Sequence, residues 1–255
     1  MSEDNLPVTP KMVFIVPYRD RELPLNFFNR HMKYIMEDVP NEEYRILIVN
    51  QCDNRSFNRG ALKNIGFHIV RDLYPQTYRN ITLIFNDLDT LPYVKNFLPY
   101  DTVPGVVKHF YGVRFTLGGI FSIKAGDFER VNGFPNFWAW GYEDNLLNTR
   151  VKNAGIKIDR SVFYNMHDMN MMHMSDGVKR DVNRDEFERY AKNTKEGWNS
   201  ISHVKYTIKK DNIVDVSQFH TSYNENIGAR KVHHLADGKT PFKARRHGNM
   251  TLSGL

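Results

Sequence analysis

Between Lys11 and Asp89 the chain alternates short apolar runs with amphipathic ones, and this alternation limits its fold more than any other feature. KMVFIVPYRD reads as a buried strand ending at Pro17, with YRILIVNQ and ITLIFNDLD as a second and a third. The segments between them, LPLNFFNRHMKYIMEDV and NRGALKNIGFHIVRDL, repeat at helical spacing. Leu25, Phe28, Met32, Ile35 and Met36 share one face of the first; Leu62, Ile65, Ile69 and Leu73 share one face of the second. Strands that are apolar throughout are buried on both sides, so the order predicts an α/β fold with a parallel sheet covered by helices. In open sheets of this kind ligands bind beyond the carboxyl ends of the strands. Those ends are Pro17-Tyr18-Arg19-Asp20, Asn50-Gln51 and Asp87-Leu88-Asp89, all polar, and they outline a candidate site.

After Thr90 the pattern changes. GVVKHFYGV and GGIFSIKAG read as strands, AGDFERVNGF as a short helix ended by Gly133, and DNLLNTRVKNAG as a helix stopped by Gly155. A charged helix over 184–195 precedes HVKYTIKK and IVDVSQFH, which alternate like an antiparallel pair. With no repeat, low-complexity segment or linker in view, the expectation is one domain over residues 1–227 and a basic tail over 228–255.

Composition bounds the partners. The net charge of +6 suits an anionic ligand such as a nucleotide diphosphate, a nucleic acid or an acidic glycan, or simply a solvated basic surface. The basic residues cluster only between Lys231 and Arg246, and no basic helix suited to a DNA groove is present, which argues against a nucleic-acid binder. Cys52 is the single cysteine, so no intramolecular disulfide forms. The N-terminal MSEDNLPVTP is polar and acidic rather than a signal peptide, and the apolar runs are strand-sized, so no membrane span is expected. These features read as a soluble, cytoplasmic protein.

Several side chains have the chemistry of a site. Asp87 and Asp89 alternate on an extended chain, so both carboxylates face one way, and paired hard oxygens there suit Mg2+ or Mn2+ on a diphosphate. A solvated strand end is the plainer alternative. Arg19, Arg21 and Arg59 have the fork that pairs with phosphate, and Arg59 opens a helix whose dipole favours anions. In NMHDMNMMHMSD, His167 and His173 lie among carboxylates and amides, a donor mixture that suits Mn or Zn better than Ca.

NGFPNFWAWGYEDN places Trp138 and Trp140 just before Glu143 and Asp144. Asp144 at a helix start could serve as an N-cap. Alternatively, an indole face gives a pyranose ring a flat wall, and the adjacent carboxylate accepts its hydroxyl proton as a general base.

These segments, in this order, resemble the β-1,4-galactosyltransferases (glycosyltransferase family 7). The resemblance is carried by FIVPYRDRELPLNFF, FNRGALKNIGF, FNDLDTLP, GGIFSIKAGDFERVNGFPNFWAWGYEDN, HMSDGVKRD and KNTKEGWNSI, and runs from about Lys11 to about Ile227. It implies a GT-A fold: a Rossmann-like nucleotide half with a mostly parallel sheet, and mixed strands in the acceptor half. It also implies a UDP-sugar donor, Mn2+ or Mg2+ as cofactor, and inversion at the anomeric carbon. By position, Pro17, Tyr18, Arg19 and Arg21 would line the nucleotide, Phe57 and Arg59 would hold uracil and phosphates, and Asp87 would lie near the ribose. Asp89 and His173 would bind the metal, with either Asn170 or Met171 as a third ligand. Gly119 would sit near the sugar, Trp140 would belong to a closing loop, and Glu143 and Asp144 would hold the acceptor, with Asp144 as base.

The chain departs from the family pattern at identifiable points. Ala139 replaces the glycine of W-G-W-G, which would stiffen the loop, and Asn145 interrupts the acid run. Thr116 stands where galactose-using members carry an aromatic residue. A small residue there leaves room for an N-acetyl group, so the donor is expected to be UDP-galactose or UDP-N-acetylgalactosamine. The acceptor would be a glycan or a glycoprotein. A catalytically idle UDP-sugar or carbohydrate-binding module is the alternative.

Overall fold

The computed structural model describes residues 8–175 and 177–242. Asp176 and the basic residues Lys243, Arg245, Arg246 and His247 therefore lie outside the described residues. β1 (Met12–Tyr18), α1 (Glu22–Ile35), β2 (Tyr44–Gln51), α2 (Arg59–Leu73) and β3 (Thr82–Asn86) follow the expected alternation. β4 (Thr90–Pro92), β5 (Val106–Gly112), β6 (Ile120–Lys124), α3 (Ala125–Arg130) and α4 (Glu143–Asn153) come next. β7 (Lys157–Asp159), β8 (Tyr164–Asn165), β9 (Met171–His173), β10 (Lys179–Asn183) and α5 (Arg184–Ala191) lead to β11 (Ser202–Ile208), β12 (Ile213–His220) and β13 (Arg230–His234).

The main sheet has nine strands, in the order β11-β12-β2-β1-β3-β6-β5-β7, with β8 also paired to β5. β12, β2, β1 and β3 run parallel, whereas β6 is antiparallel to both β3 and β5. The β12 to β3 side of the sheet is thus parallel, with β11 added antiparallel at its edge as the sequence suggests, and the β6 to β7 side is mixed, the arrangement expected of a GT-A fold.

Alternation along β1 sorts the core. Val13 and Ile15 join a cluster with Leu47, Val49, Leu62, Ile65 and Ile69 on the α2 side. Phe14 and Val16 join Leu25, Phe28, Met32 and Ile35 on the α1 side. All four β1 residues are fully buried, and side chains of this size contribute about 1.5–3 kcal/mol each when removed from water. Gly66 lets α2 lie directly on β1, because a methyl there would meet Ile15.

Two details of packing fix the site. Gly60 abuts the Pro135 carbonyl, and Asn64 Nδ2 donates to the Phe134 carbonyl and to Asn136 Oδ1 at 2.8 Å each, which binds the 134–136 segment to α2. Part of the basic segment beyond Ile227 is also built into the fold: β13 pairs antiparallel with β10, and Phe242 packs on Phe187 and Val182. No described helix is long and apolar enough to cross a membrane.

Candidate active site

The carboxyl ends of β1 to β3 meet the start of α4, and charged side chains converge there. Arg59, in the first turn of α2, donates from Nη2 to Asp87 Oδ1 at 2.6 Å, and its Nε lies 3.6 Å from Glu143 Oε1. Lys63, one turn further on and only 1% exposed in its side chain, donates to Asp144 Oδ1 at 3.1 Å and lies 3.8 Å from Asp87 Oδ1. Its ammonium also sits 4.5 Å from the centre of the Phe134 ring. Arg21 Nη1 donates to Asp89 Oδ2 at 3.0 Å. Arg19 reaches the Arg55 carbonyl.

Burial and charge set the protonation of these groups. Burial pushes the Asp144 carboxyl up to about 6, against the lowering pull of Lys63 and Arg59 and with a smaller contribution from Glu143 and Asp87. Burial would raise Asp87 too, but Arg59 and Lys63 prevail and hold it below the usual carboxylate range. Arg59 is buried, yet Asp87, Glu143 and Asp144 fix its charge more firmly than in water. One carboxylate is thus locked in the charged form while its neighbour titrates near neutrality, a pairing suited to a general base.

Asp144 is not an N-cap. The cap position of α4 is Tyr142, in a left-handed conformation with φ 72° and without a side-chain hydrogen bond to the helix. The Asp144 side chain turns instead to Lys63 and to Gly118, where a methyl group would collide with Oδ2. The Leu117 amide donates to the Asp144 carbonyl at 3.1 Å. His109 braces this loop, its Nε2 3.0 Å from the Gly118 carbonyl while Arg160 Nε donates to its Nδ1. Burial and Arg160 push that imidazole down to about 4, so it stays neutral as a donor. Gly118→Ala is therefore expected to lower turnover about 10²-fold through displacement of the carboxylate, read by steady-state kinetics on protein whose melt is checked.

The acid pair and the metal candidates occupy adjoining corners. Asp87, Leu88 and Asp89 form a turn after β3 rather than the extended strand end expected, with the Thr90 amide donating to the Asp87 carbonyl at 3.1 Å, and Leu88 is buried between the partly exposed Asp87 and Asp89. Gly119, with φ 73°, brings its carbonyl to the Asp87 amide at 3.0 Å. β9 pairs with β4 so that His173 lies opposite Thr90. Thr90 Oγ1 is 3.2 Å from Asp89 Oδ1 and 3.3 Å from His173 Nδ1, which sets a carboxylate and an imidazole side by side. That donor pair fits Mn2+. The third ligand is less evident. Met171 is buried in the α1-side core, and Asn170 spends its amide on Asp168 Oδ1 at 2.9 Å. Among the described residues no three His, Cys, Asp or Glu side chains form a ready metal cluster.

The indoles need a correction. Trp138 is 1% exposed, stacks on Phe219 at 5.7 Å, and donates from Nε1 to the Tyr223 carbonyl at 3.0 Å. It is core, not a wall for a sugar. The left-handed Ala139, at φ 68°, turns the chain so that Trp140 packs toward Val182, Phe187 and Phe242, and its amide donates to the Asp181 carbonyl at 2.7 Å. Pro17 is buried beneath the site, Tyr18 and Phe57 are half-buried, and Thr116 donates to the Val113 carbonyl at 3.0 Å. Lys63 escaped the sequence reading. Its only signal is a lysine inside a helix stretch whose other residues, Gly60 to Phe67, are all buried.

A parallel nucleotide half, a mixed second half and an acid cluster at the strand ends define a GT-A glycosyltransferase fold. The catalytic domain of Drosophila β1,4-galactosyltransferase 7, crystallised with xylobiose, superposes with a TM-score of 0.67 at 23% identity, covering 84% of this chain and 95% of that one. A mutant of that protein in complex with manganese, UDP-Gal and xylobiose gives 0.60 at 22% identity. Family models match at residues 5–98, described as the N-terminal region of glycosyl transferase group 7, and at 107–175, described as the N-terminal domain of galactosyltransferase. The xylosylprotein 4-β-galactosyltransferase of Caenorhabditis elegans is 30% identical over 81% of this chain and 74% of its own length. The β-1,4-galactosyltransferase 7 of Drosophila melanogaster is 29% identical over 78% of this chain and 64% of its own. The chain belongs to the β-1,4-galactosyltransferase family.

Proposed function

We propose that the protein is a metal-dependent, inverting glycosyltransferase that moves galactose or N-acetylgalactosamine from a UDP-sugar to a hydroxyl of a glycan or glycoconjugate. The observation that carries this reading is Asp144, a carboxylate pinned by Lys63 and Gly118, titrating near 6 and still 21% exposed. The relatives named for xylosylprotein and crystallised with xylobiose favour a β-xyloside as the acceptor.

In the proposed reaction the acceptor hydroxyl attacks the anomeric carbon of the donor in line. Its proton passes to Asp144, the new C–O bond forms, and the bond from that carbon to the diphosphate oxygen breaks with its electron pair on UDP. Asp87 and Arg59 position the nucleotide, with Pro17, Tyr18, Arg19, Arg21 and Phe57 around it. Glu143 orients the acceptor, and Gly119 sits near the sugar. Asp89 and His173 would hold the metal, with Met171 or Asn170 as a further ligand after local rearrangement. When bound, Mn2+ supplies the positive charge that stabilises the departing diphosphate. The loop carrying Trp140 closes over the donor and excludes water.

Release of UDP from UDP-galactose with Mn2+, dependent on an added xyloside, is the expected result. UDP binding without any release would favour an idle binding module and reject the transferase. The donor follows from Thr116: turnover of UDP-N-acetylgalactosamine is expected beside that of UDP-galactose, and Thr116→Tyr should suppress the N-acetylated donor selectively. Wild-type turnover confined to UDP-galactose would refute the role given to Thr116.

A further inference from the structure

A lysine that is 1% exposed is unusual, since burying an ammonium costs several kcal/mol unless its partners repay it. Lys63 projects from α2 between two carboxylates of different origin, Asp87 after β3 and Asp144 on α4. The groups facing this pocket are Arg59 from α2, Asp87 beyond β3, and Glu143 and Asp144 from α4, with the Phe134 ring beneath the ammonium. Arg59 satisfies Asp87 and approaches Glu143, so neither of those acids needs Lys63 as its main partner. The direct hydrogen bond of Lys63 goes to Asp144 Oδ1, while Oδ2 rests against Gly118.

Resting on the transferase reading above, we propose that Lys63 is a positioning residue of the reaction: its ammonium fixes Oδ1 of Asp144 and favours the charged form, leaving Oδ2 as the atom that takes the acceptor proton. The geometry gives each oxygen its own task. A carboxylate gripped at one oxygen cannot rotate away from an incoming hydroxyl, and the nearby positive charge offsets the repulsion from Glu143 and Asp87. The same contact links the two substrates, because Lys63 also borders Asp87 on the nucleotide side.

The test compares the pH dependence of kcat/KM in wild type, Lys63→Met and Lys63→Gln. An opposite charge at this distance lowers a carboxyl pKa by about 1–3 units, so the acid limb should move up by about that much in both variants. Lys63→Gln, which can still donate to Oδ1, should keep more of the plateau rate than Lys63→Met. A limb that stays in place in both folded variants assigns Lys63 to packing and overturns the proposal. If neither variant folds by circular dichroism, the double variant Lys63→Met with Asp144→Asn decides. A restored melt shows that the two groups act as a pair, and an unrestored one overturns the proposal. Absence of any wild-type turnover with UDP-galactose and Mn2+ would instead sink the transferase reading itself, so the two failures are distinct.

Discussion

Asp144→Asn is expected to lower the transfer rate by about 10²–10⁴-fold, the usual contribution of a positioned general base, while UDP binding in the presence of Mn2+ survives. The amide keeps the shape that packs on Gly118 and can still meet Lys63 through its carbonyl oxygen, but it cannot take a proton. The wild-type rate should carry the matching pH signature. Burial raises Asp144 to about 6, so the proposed base is charged above that pH and protonated below it. kcat/KM should therefore rise as pH increases through about 6 and level off. Kinetics of the variant, with UDP titration followed by calorimetry, separate chemistry from binding. A variant that turned over at the wild-type rate would remove Asp144 as base.

Asp89→Ala carries the second large effect. Asp89 lies beside His173 across Thr90 and is met by Arg21 at 3.0 Å. Removing even an indirect partner of a metal typically costs about 10–100-fold in affinity, so if Asp89 is the direct ligand proposed, its loss should weaken Mn2+ by at least that factor. The readout is electron paramagnetic resonance of free Mn2+, with UDP present and absent, which does not depend on turnover. His173→Ala should act in the same direction. Unchanged Mn2+ titration of both variants would refute the metal assignment.

What the sequence disclosed and what it hid differ for physical reasons. The elements of the nucleotide half were legible because their apolar spacing is set by burial on the two faces of one sheet. Val13 and Ile15 go one way, Phe14 and Val16 the other. The site could be outlined because polar residues collect where those strands stop. The roles of Trp138 and Lys63 could not be read. Trp138 neighbours the acids in sequence, but Ala139 and Tyr142, both at positive φ, redirect the chain between them and send the indole into the core. Lys63 looks like a solvated helix lysine until α4 and the end of β3 close over it. The burial of Met171 depends on the three-residue pairing of β9 with β4, too short for periodicity to reveal.

The strand β12 comes from the far end of the chain, yet it lies parallel to β2 and supports the loop after it. The Phe219 carbonyl accepts from Arg55 Nη2 at 2.9 Å, Glu225 Oε2 accepts from the Ser56 amide at 2.9 Å, and the Tyr223 carbonyl receives Trp138. Until residues 213–225 have left the ribosome, the 53–57 loop therefore has only its contacts to Arg19 and Gln51 and within itself. On a chain made from its N-terminus, β1, β2 and β3 can assemble early, but the 53–57 loop is completed among the last parts of the fold. Contacts of such long sequence separation are slow to form. A nascent chain halted before β12 should thus hold β1 to β3 while the 53–57 loop, proposed to line the donor, stays incompletely braced, and weaker UDP retention by that truncated chain than by the full chain is the expected readout.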